Sequence, residues 1–288
     1  MKRKFELFDF CVYTFLLLAA LICIYPLVYI VAVSFSSSRA VMSNEVMLWP
    51  VDFNTDAYQS IIADGALLHA LSNTIILTVG GTLLNMVGTV MIAYPLSRPG
   101  LRGKKIFSKL IVFTMMFNGG LIPTFLLVHQ MKLTNHYLGV WLVTFVSTYN
   151  MFVMKSFFEG IPESLVESAR IDGASNVTTL LRIVLPLSKP VLATLTLFYA
   201  VGHWNSYFNE MIYLTSSEKL PIMVKLMQMV KEASPALLQN DNILMQETLT
   251  PEAIRAAAIV VSTVPIMCFY PFVQKYFVKG VMLGAVKG

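Results

Sequence analysis

The feature that most constrains this chain is a succession of long apolar runs. A helix rises about 1.5 Å per residue and the hydrocarbon layer of a membrane is about 30 Å thick, so a run of about 20 apolar residues can cross it. Lipid offers no water to satisfy backbone groups, so such runs must be helical. We therefore predict an all-α polytopic membrane protein with six transmembrane helices. The runs cover residues 10–33, 70–96, 107–128, 137–158, 187–214 and 255–277.

Composition separates this chain from soluble proteins. Charged residues make up only 13% of the sequence and hydrophobic residues 56%, whereas a soluble domain has about 25% charged residues. The N-terminal Met1-Lys2-Arg3-Lys4 precedes the first apolar run as it would in a signal peptide, but that run has no small-residue cleavage site. We therefore expect the first run to be retained as a membrane span. The three cysteines lie in apolar runs and are interpreted as small core residues.

The distribution of lysine and arginine predicts the orientation, because these residues concentrate in cytoplasmic loops. Placing the N-terminus inside puts most of them in cytoplasmic segments, and the densest cluster, Arg98 to Lys109, falls between the second and third runs. Both termini are therefore predicted to be cytoplasmic. Basic residues beside spans face anionic lipid, which accounts for the net charge of +5 without a nucleic-acid partner.

This topology predicts a single transmembrane domain with a long polar interruption. The loop between the fourth and fifth runs faces the cytoplasm, and the segments after the first and fifth runs lie outside the cell. The predicted parts are the whole domain 1–288, the first span 10–33, the five-span core 70–277, the cytoplasmic loop 159–190 and the extracellular segments 34–69 and 215–254.

The polar loop carries two amphipathic helical patterns. In the first, Leu165, Val166 and Ala169 recur at helical spacing, with Pro162 suited to the first turn and Gly173 placed to end the helix in a left-handed conformation. A second pattern follows over residues 177–184. Two short helices joined by a bend predict a docking surface. The alternative, a helix lying on lipid, usually has more basic and bulkier apolar residues.

The run E-S-A-R-I-D-G-A, residues 167–174, resembles the EAA loop of the membrane subunits of ABC importers. Ser168 stands where that signature usually has alanine, which keeps the side chain small. The resemblance implies that the loop is a coupling helix seated in a cleft of a cytoplasmic ATPase. The residues to which this role is carried over are Glu163, Glu167, Ser168, Ala169, Arg170, Asp172, Gly173 and Ala174.

Other segments are similar to the sugar-importing permeases that resemble the smaller membrane subunit of the maltose transporter, especially those for complex oligosaccharides. They are FNGGLIPTFLLV (117–128), AVGHWNSYFNEMIYL (200–214) and the C-terminal KYFVKGVMLGAVKG. The resemblance implies the type I ABC importer permease fold, a bacterial cell membrane location and import by alternating access. It also implies a second, different permease, two ATP-binding cytoplasmic subunits and an extracellular sugar-binding protein as partners.

The sequence contains no phosphate-binding loop motif of the kind that binds ATP. The nearest match to a phosphate-binding loop is Gly100-Leu101-Arg102-Gly103-Lys104, which has the wrong spacing. ATP and magnesium are therefore expected to be bound by the partner ATPases, and the chain itself is expected to be a transport subunit without a cofactor. The four histidines are scattered along the sequence and predict no metal site.

A candidate substrate path is marked by polar and aromatic side chains inside the apolar runs, which lipid-facing helices avoid. Aromatic planes and amides suit the apolar faces and hydroxyls of sugars. The same residue types also join membrane helices or anchor them at the interface, and this alternative stays open. The candidates are Asn118, Tyr149, Asn150, Trp204, Asn205, Tyr207, Asn209 and Glu210.

Glycine and proline residues divide between bends and packing positions. Asn118-Gly119-Gly120 should weaken the third run, and Pro265 and Pro271 interrupt the last one, which can stay helical only if neighbouring groups cover the freed carbonyls. The pair Gly80-Gly81 and Gly88 suit close helix packing instead.

Residues 231–247 of the second predicted extracellular segment have two alternative roles. By resemblance, residues 231–247 reach into the binding protein; the alternative is a connector that contacts nothing.

Two other classes of protein were considered. An ion-coupled secondary transporter should bury coupling carboxylates near the middle of the membrane, and only Glu210 is a candidate. An intramembrane enzyme should show paired aspartates, a serine-histidine pair or a metal motif, and the runs have none of these.

Overall fold

The computed structural model describes residues 7–117, 119–232 and 250–285, and side chains up to residue 268 within these ranges apart from those of residues 7, 64 and 232. Within these ranges the regular structure is helical, with no strand assigned. The all-α prediction is therefore confirmed for the described part of the chain. The predicted site residue Asn118 and most of the outer segment 231–247 lie outside the described residues.

The first part of the chain contains two long helices separated by two short ones. They are α1 (Leu7–Ser34), α2 (Ser38–Met42), α3 (Asp56–Asp64) and α4 (Ala66–Ser97). Both long helices correspond to predicted runs, and each continues through one proline, Pro26 in α1 and Pro95 in α4.

The third and fourth predicted runs are each divided into two helices. The helices are α5 (Lys104–Met116), α6 (Leu121–Gln130), α7 (Tyr137–Val143) and α8 (Thr148–Glu159). Between α5 and α6, Gly120 has a φ of 89°, in the region that favours glycine, and this agrees with the predicted weak point. Between α7 and α8 the axis bends by 62°, and Ser147 accepts a hydrogen bond from Asn150 N to begin α8.

The polar loop and the fifth run follow. They comprise α9 (Glu163–Ile171), α10 (Asn176–Thr179), a π-helical turn (Leu180–Val184), α11 (Leu185–Leu187), α12 (Lys189–Asn205) and α13 (Phe208–Tyr213). The prediction of one helix over 187–214 is wrong in detail, because Ser206 is extended (φ −72°, ψ 138°) and separates α12 from α13. The segment from Asn176 to Leu187 is bent by 84° relative to α12.

The described chain ends with α14 (Ile222–Glu232) and α15 (Pro251–Ala285), after a 3₁₀ turn at Ser217–Lys219. α15 stays helical through both Pro265 and Pro271. Among the described residues, α1, α4 and α15 contain apolar stretches long enough to cross a membrane, and three bent pairs could each form a further span. The structure thus supports three to six spans.

The chain forms two compact units. The first contains the residues up to His69 together with Lys225–Pro265, and the second contains Ala70–Val224 together with the residues from Ile266 onward. In the first unit the ring of Phe35 stacks on Phe53 and Tyr58, and the Tyr58 hydroxyl is 2.8 Å from Ser34 Oγ. These contacts hold the segment from Ser34 to Tyr58 together at the end of α1.

The described residues of the second unit form two apolar clusters. One joins α4, α8, α9, the π-helical turn and α12 through Tyr94, Phe158, Val166, Val184 and Leu195. The other joins α4, α6, α7, α13 and the start of α14. The polar loop is thus packed into the same core as the membrane helices around it.

Candidate functional site

The end of α9 is fixed by a Schellman motif. Gly173 has a φ of 80°, and its N–H donates to the Arg170 carbonyl at 3.0 Å. The Ala174 N–H donates to the Ala169 carbonyl at 2.9 Å. This pair of bonds satisfies carbonyls that the last turn would leave free, and it requires a left-handed residue where glycine stands. The predicted helix end at Gly173 is confirmed.

The apolar residues of α9 face in two directions. Val166 and Ala169 are buried, at 2% and 7% exposure, and Val166 joins the cluster that contains Phe158. Leu165 is 44% exposed and Ile171 82% exposed. The prediction of one apolar face is therefore right for the buried pair only. Half of the apolar surface anchors α9, and the other half is presented outward.

The polar residues of α9 lie together on its outer side. Glu163, Glu167 and Arg170 are exposed and, with Val166, line a shallow cavity. Ser168 is also exposed, and its hydroxyl donates to the Ser164 carbonyl at 2.8 Å. Asp172 and Gly173 are exposed beyond the last turn, whereas Ala174 is half-buried. The structure thus gathers the predicted coupling residues into one short helix and its terminal turn.

The segment after α9 extends this surface. Ser175 caps α10 by accepting a hydrogen bond from Thr178 N at 3.1 Å. In the following turns Val184 is fully buried, while Val177 and Leu181 are 65% and 57% exposed. The predicted second amphipathic pattern therefore also forms helical turns with one side anchored and the other outward.

Charged contacts hold the base of the polar loop. Lys104 Nζ and Lys155 Nζ lie 2.8 and 3.0 Å from Glu159 Oε1. Arg98 donates from Nη2 to the Phe158 carbonyl, and its guanidinium lies 5.0 Å from the Tyr94 ring centroid. Sequence reasoning treated Arg98 and Lys104 only as part of a basic cluster, because their partners lie about 60 positions away.

The candidate substrate residues on α12 and α13 divide by burial. Trp204 and Glu210 are buried, and Glu210 Oε2 accepts a hydrogen bond from Ser206 Oγ at 2.7 Å. Asn205 and Tyr207 are exposed and Asn209 is half-buried. Asn205 and Tyr207 therefore lie at the surface on either side of the break at Ser206.

The candidates on α8 divide in the same way. Tyr149 is 60% exposed, whereas Asn150 is buried at 5%. Because α8 packs against α12, Asn150 lies on a helix next to the one that carries Trp204 and Asn205. The exposed residues Tyr149, Asn205 and Tyr207 remain the surface candidates.

A polar seam along α4 is a feature that sequence reasoning missed. Asn85 Nδ2 lies 3.1 Å from His203 Nε2, and Thr89 Oγ1 lies 2.7 Å from the Tyr199 hydroxyl, which accepts a hydrogen bond from Ser147 N. The signal was present, since polar residues recur on α4 at helical spacing. These bonds join α4 to α12, so the polar residues of α12 act in part as links between helices.

The sequence model of the family described as "Binding-protein-dependent transport system inner membrane component" matches residues 2–283. The chain is 42% identical over 287 residues to the polygalacturonan/rhamnogalacturonan transport system permease protein YtcP of Bacillus subtilis (strain 168), covering 99% of this chain and 100% of that protein. It is also 38% identical over 284 residues to the protein LplC of the same organism, covering 98% and 96%.

A solved structure matches over nearly the same length. It is a crystal structure of a bacterial ABC transporter involved in the import of the acidic polysaccharide alginate, and the match has a TM-score of 0.87 at 36% sequence identity. It covers 96% of this chain and 99% of that one. The similarity therefore extends over the spans and the polar loop together.

Proposed function

The chain belongs to the family of binding-protein-dependent transport system inner membrane components, and we propose that residues 159–190 couple it to ATP hydrolysis in partner subunits. It is a permease subunit of an ABC importer of sugars or oligosaccharides in the bacterial cell membrane, and it is not itself an enzyme. The ion-coupled alternative gains no support from these relatives.

The geometry of α9 is the observation that carries the coupling proposal. A helix that transmits force needs a rigid connection to the spans and a free surface for its partner. Val166 and Val184 supply the connection because both are buried in the core with Phe158. Glu163, Glu167 and Arg170 supply the free surface, flanked by exposed Ile171. By the predicted topology this surface is cytoplasmic, where the ATPases would bind.

The proposed assembly contains this chain, a second and different permease, two ATP-binding subunits and an extracellular sugar-binding protein. Helix α1 supports the second permease as a partner. Its side chains are apolar and largely exposed, with Phe8, Phe15 and Ile22 at 74%, 72% and 73%. Such a helix needs lipid or another membrane helix around it. ATP and magnesium would be bound by the ATPase subunits, and this chain would hold no cofactor.

The proposed cargo is an oligosaccharide that contains uronic acids. The relative at 42% identity is named for polygalacturonan and rhamnogalacturonan, and the matching structure belongs to an importer of alginate, an acidic polysaccharide. Tyr149, Asn205 and Tyr207 would contact its ring faces and hydroxyls. Glu210 would hold the break at Ser206 in place instead of contacting the cargo, because it is buried against Ser206 and a carboxylate would repel an acidic sugar.

The proposed cycle is alternating access. The loaded binding protein docks outside, ATP closes the ATPase subunits, and their movement displaces α9. Since α9 is packed into the core of α4, α8 and α12, that displacement would move the spans and open the path outward. Hydrolysis then resets the assembly.

The test uses the complete assembly in proteoliposomes with ATP inside. Glu167→Lys reverses a charge on the exposed surface, and Gly173→Asp adds a negative charge to the exposed turn that ends α9. Both variants should insert into the membrane normally but lose ATP-driven uptake. Arg102→Ala, an exposed change outside residues 159–190, is the control and should leave uptake intact. Full uptake by both loop variants would overturn the coupling role.

A further inference from the structure

The start of α15 is a well-anchored turn in the first unit. Thr250 Oγ1 accepts a hydrogen bond from Ala253 N at 3.3 Å, and Thr250 N donates to Ser38 Oγ at 3.1 Å. Ala256 packs with Ala32 and Val33 at the end of α1. Arg255 therefore projects from a helical turn whose position is fixed on both sides.

The guanidinium of Arg255 is buried along one edge and has no acceptor there. Its Nε and Nη2 atoms are inaccessible to solvent, and no described residue accepts a hydrogen bond from either. The residue as a whole is partly exposed, so the group lies at the margin of the buried region. Burying a charge without a partner is strongly unfavourable. This arrangement is therefore expected only where a partner arrives from elsewhere.

The described residues near Arg255 do not supply that partner. Glu252 is one turn earlier on the same helix, but it is exposed, and the ion pairs found among the described residues join Lys104 and Lys155 to Glu159 instead. One turn later Ala258 and Ile259 have no side-chain acceptor. The Arg255 edge is thus left free although a carboxylate stands beside it in sequence.

The two free atoms determine the kind of ligand. Nε and Nη2 carry parallel N–H bonds on one edge of the guanidinium plane, and their spacing matches the two oxygens of a carboxylate. A neutral hydroxyl could satisfy one of them, whereas a carboxylate satisfies both and neutralises the charge. The site is therefore specific for an anion with two oxygens in one plane.

We propose that the Nε–Nη2 edge of Arg255 binds the carboxylate of a uronic acid residue in the transported oligosaccharide. This inference rests on the proposed function. By the predicted topology α15 begins at the outer side of the membrane, where a cargo released from the binding protein would enter. The edge is closed to solvent in the structure, so binding requires that the alternating-access cycle opens it to the cargo. An arginine within a membrane span usually marks such a path or pairs with a specific anion.

The test compares one sugar with and without its charge. Wild type, Arg255→Lys and Arg255→Gln are purified as the full assembly, and binding of trigalacturonate and of its methyl ester is titrated directly, without the binding protein. ATP-driven trigalacturonate uptake is measured in parallel. Arg39→Gln, an exposed arginine of α2 in the same unit, is the control.

Arg255→Gln should weaken trigalacturonate binding and uptake by roughly tenfold or more, the effect of losing one charge-assisted pair. Arg255→Lys should recover only part of this, because a lysine cannot offer two parallel donors. Methyl ester binding and the Arg39→Gln control should stay near wild type.

Three results would overturn the inference while leaving the proposed function standing. The first is that Arg255→Gln binds trigalacturonate as tightly as wild type, and the second is that it loses equal affinity for trigalacturonate and for the methyl ester. The third is a defect in ATP hydrolysis by the assembly that is the same with and without sugar. The last would indicate that Arg255 pairs with a carboxylate of a protein partner. If wild type neither binds nor imports trigalacturonate, it is the proposed acidic cargo that fails.

Discussion

Arg98 Nη2 donates a hydrogen bond to the backbone carbonyl oxygen of Phe158 at 3.2 Å, although 60 positions separate the two residues. The bond joins the residue after α4 to the last turn of α8, a few residues before α9 begins. Tyr94 completes the contact, since its ring lies under the Arg98 guanidinium and edge-on to the Phe158 ring. These contacts therefore clamp the base of the polar loop 159–190 to the end of α4.

Arg98→Ala should destabilise this clamp. It removes a charged hydrogen bond and a cation–π contact, together worth about 2 kcal/mol in the free energy of unfolding. The thermal unfolding midpoint of the purified assembly should fall, and less uptake should result per ATP hydrolysed. Arg102→Ala, an exposed change in the same basic cluster, should alter neither quantity. Equal behaviour of the two variants would show that the clamp has no role.

Substitutions at Val166 and Leu165 should distinguish the residue that anchors α9 in the core from the residue that contacts the ATPase. Val166→Ala removes two buried methyl groups from the core, which costs about 2 kcal/mol. Leu165→Ala should change stability by less than about 0.5 kcal/mol because the side chain is half exposed, but it should weaken ATPase binding. Thermal unfolding and co-purification of the ATPase measure the two effects. A large loss of stability in Leu165→Ala would contradict this division.

Gly173 should tolerate asparagine better than valine. Its φ of 80° suits glycine and is accessible to asparagine, but a β-branched side chain is strained there by about 1–2 kcal/mol or more. A β-carbon at this position would meet no atom within 4 Å, so backbone strain alone should decide the result. Gly173→Asn is expected to retain most ATP-driven uptake and Gly173→Val to lose it. Higher uptake by Gly173→Val than by Gly173→Asn would indicate that uptake does not depend on the left-handed conformation at this position.

Gly81→Ala should be destabilising because the added β-carbon would lie 2.5 Å from His203 Nε2. The ring must shift, which disturbs its hydrogen bond with Asn85 and costs about 1–3 kcal/mol. Gly202→Ala is the matched control. A β-carbon there meets nothing within 4 Å, and replacing a helical glycine should be neutral or stabilising by about 0.5–1 kcal/mol. Thermal unfolding of both variants in detergent measures the difference.

The first helix of the polar loop was predictable because its signals are local. The helix of residues 163–171 follows from Pro162, the apolar spacing and Gly173, all within a dozen residues. The structure confirms its end at Gly173 and has Pro162 as the N-cap, one position before the predicted first turn. Burial was less predictable. Leu165 and Val166 are equally apolar neighbours, and only the packing of Phe158 and Val184 decides that Val166 is the buried one.

The broken spans and the polar seam depended on distant parts of the chain. The run 187–214 is apolar enough on average to predict one helix, yet the chain is extended at Ser206, whose hydroxyl donates a hydrogen bond to Glu210. In the sequence, His203 is one of several polar residues in that run, and nothing distinguishes it from the others. Its partner Asn85 is 118 positions away and shows that it links two helices.

By itself the sequence determined the membrane class, the helical fold and the place of the polar loop with its first helix. Each of these depends on hydrophobic length or short-range backbone preference, which act within a few turns of helix. Only the tertiary structure decided which side of α9 is anchored, where the spans bend, and that the Nε–Nη2 edge of Arg255 has no acceptor among the described residues. Those outcomes depend on which atoms meet across the fold, because burial and hydrogen bonding are properties of neighbours in space.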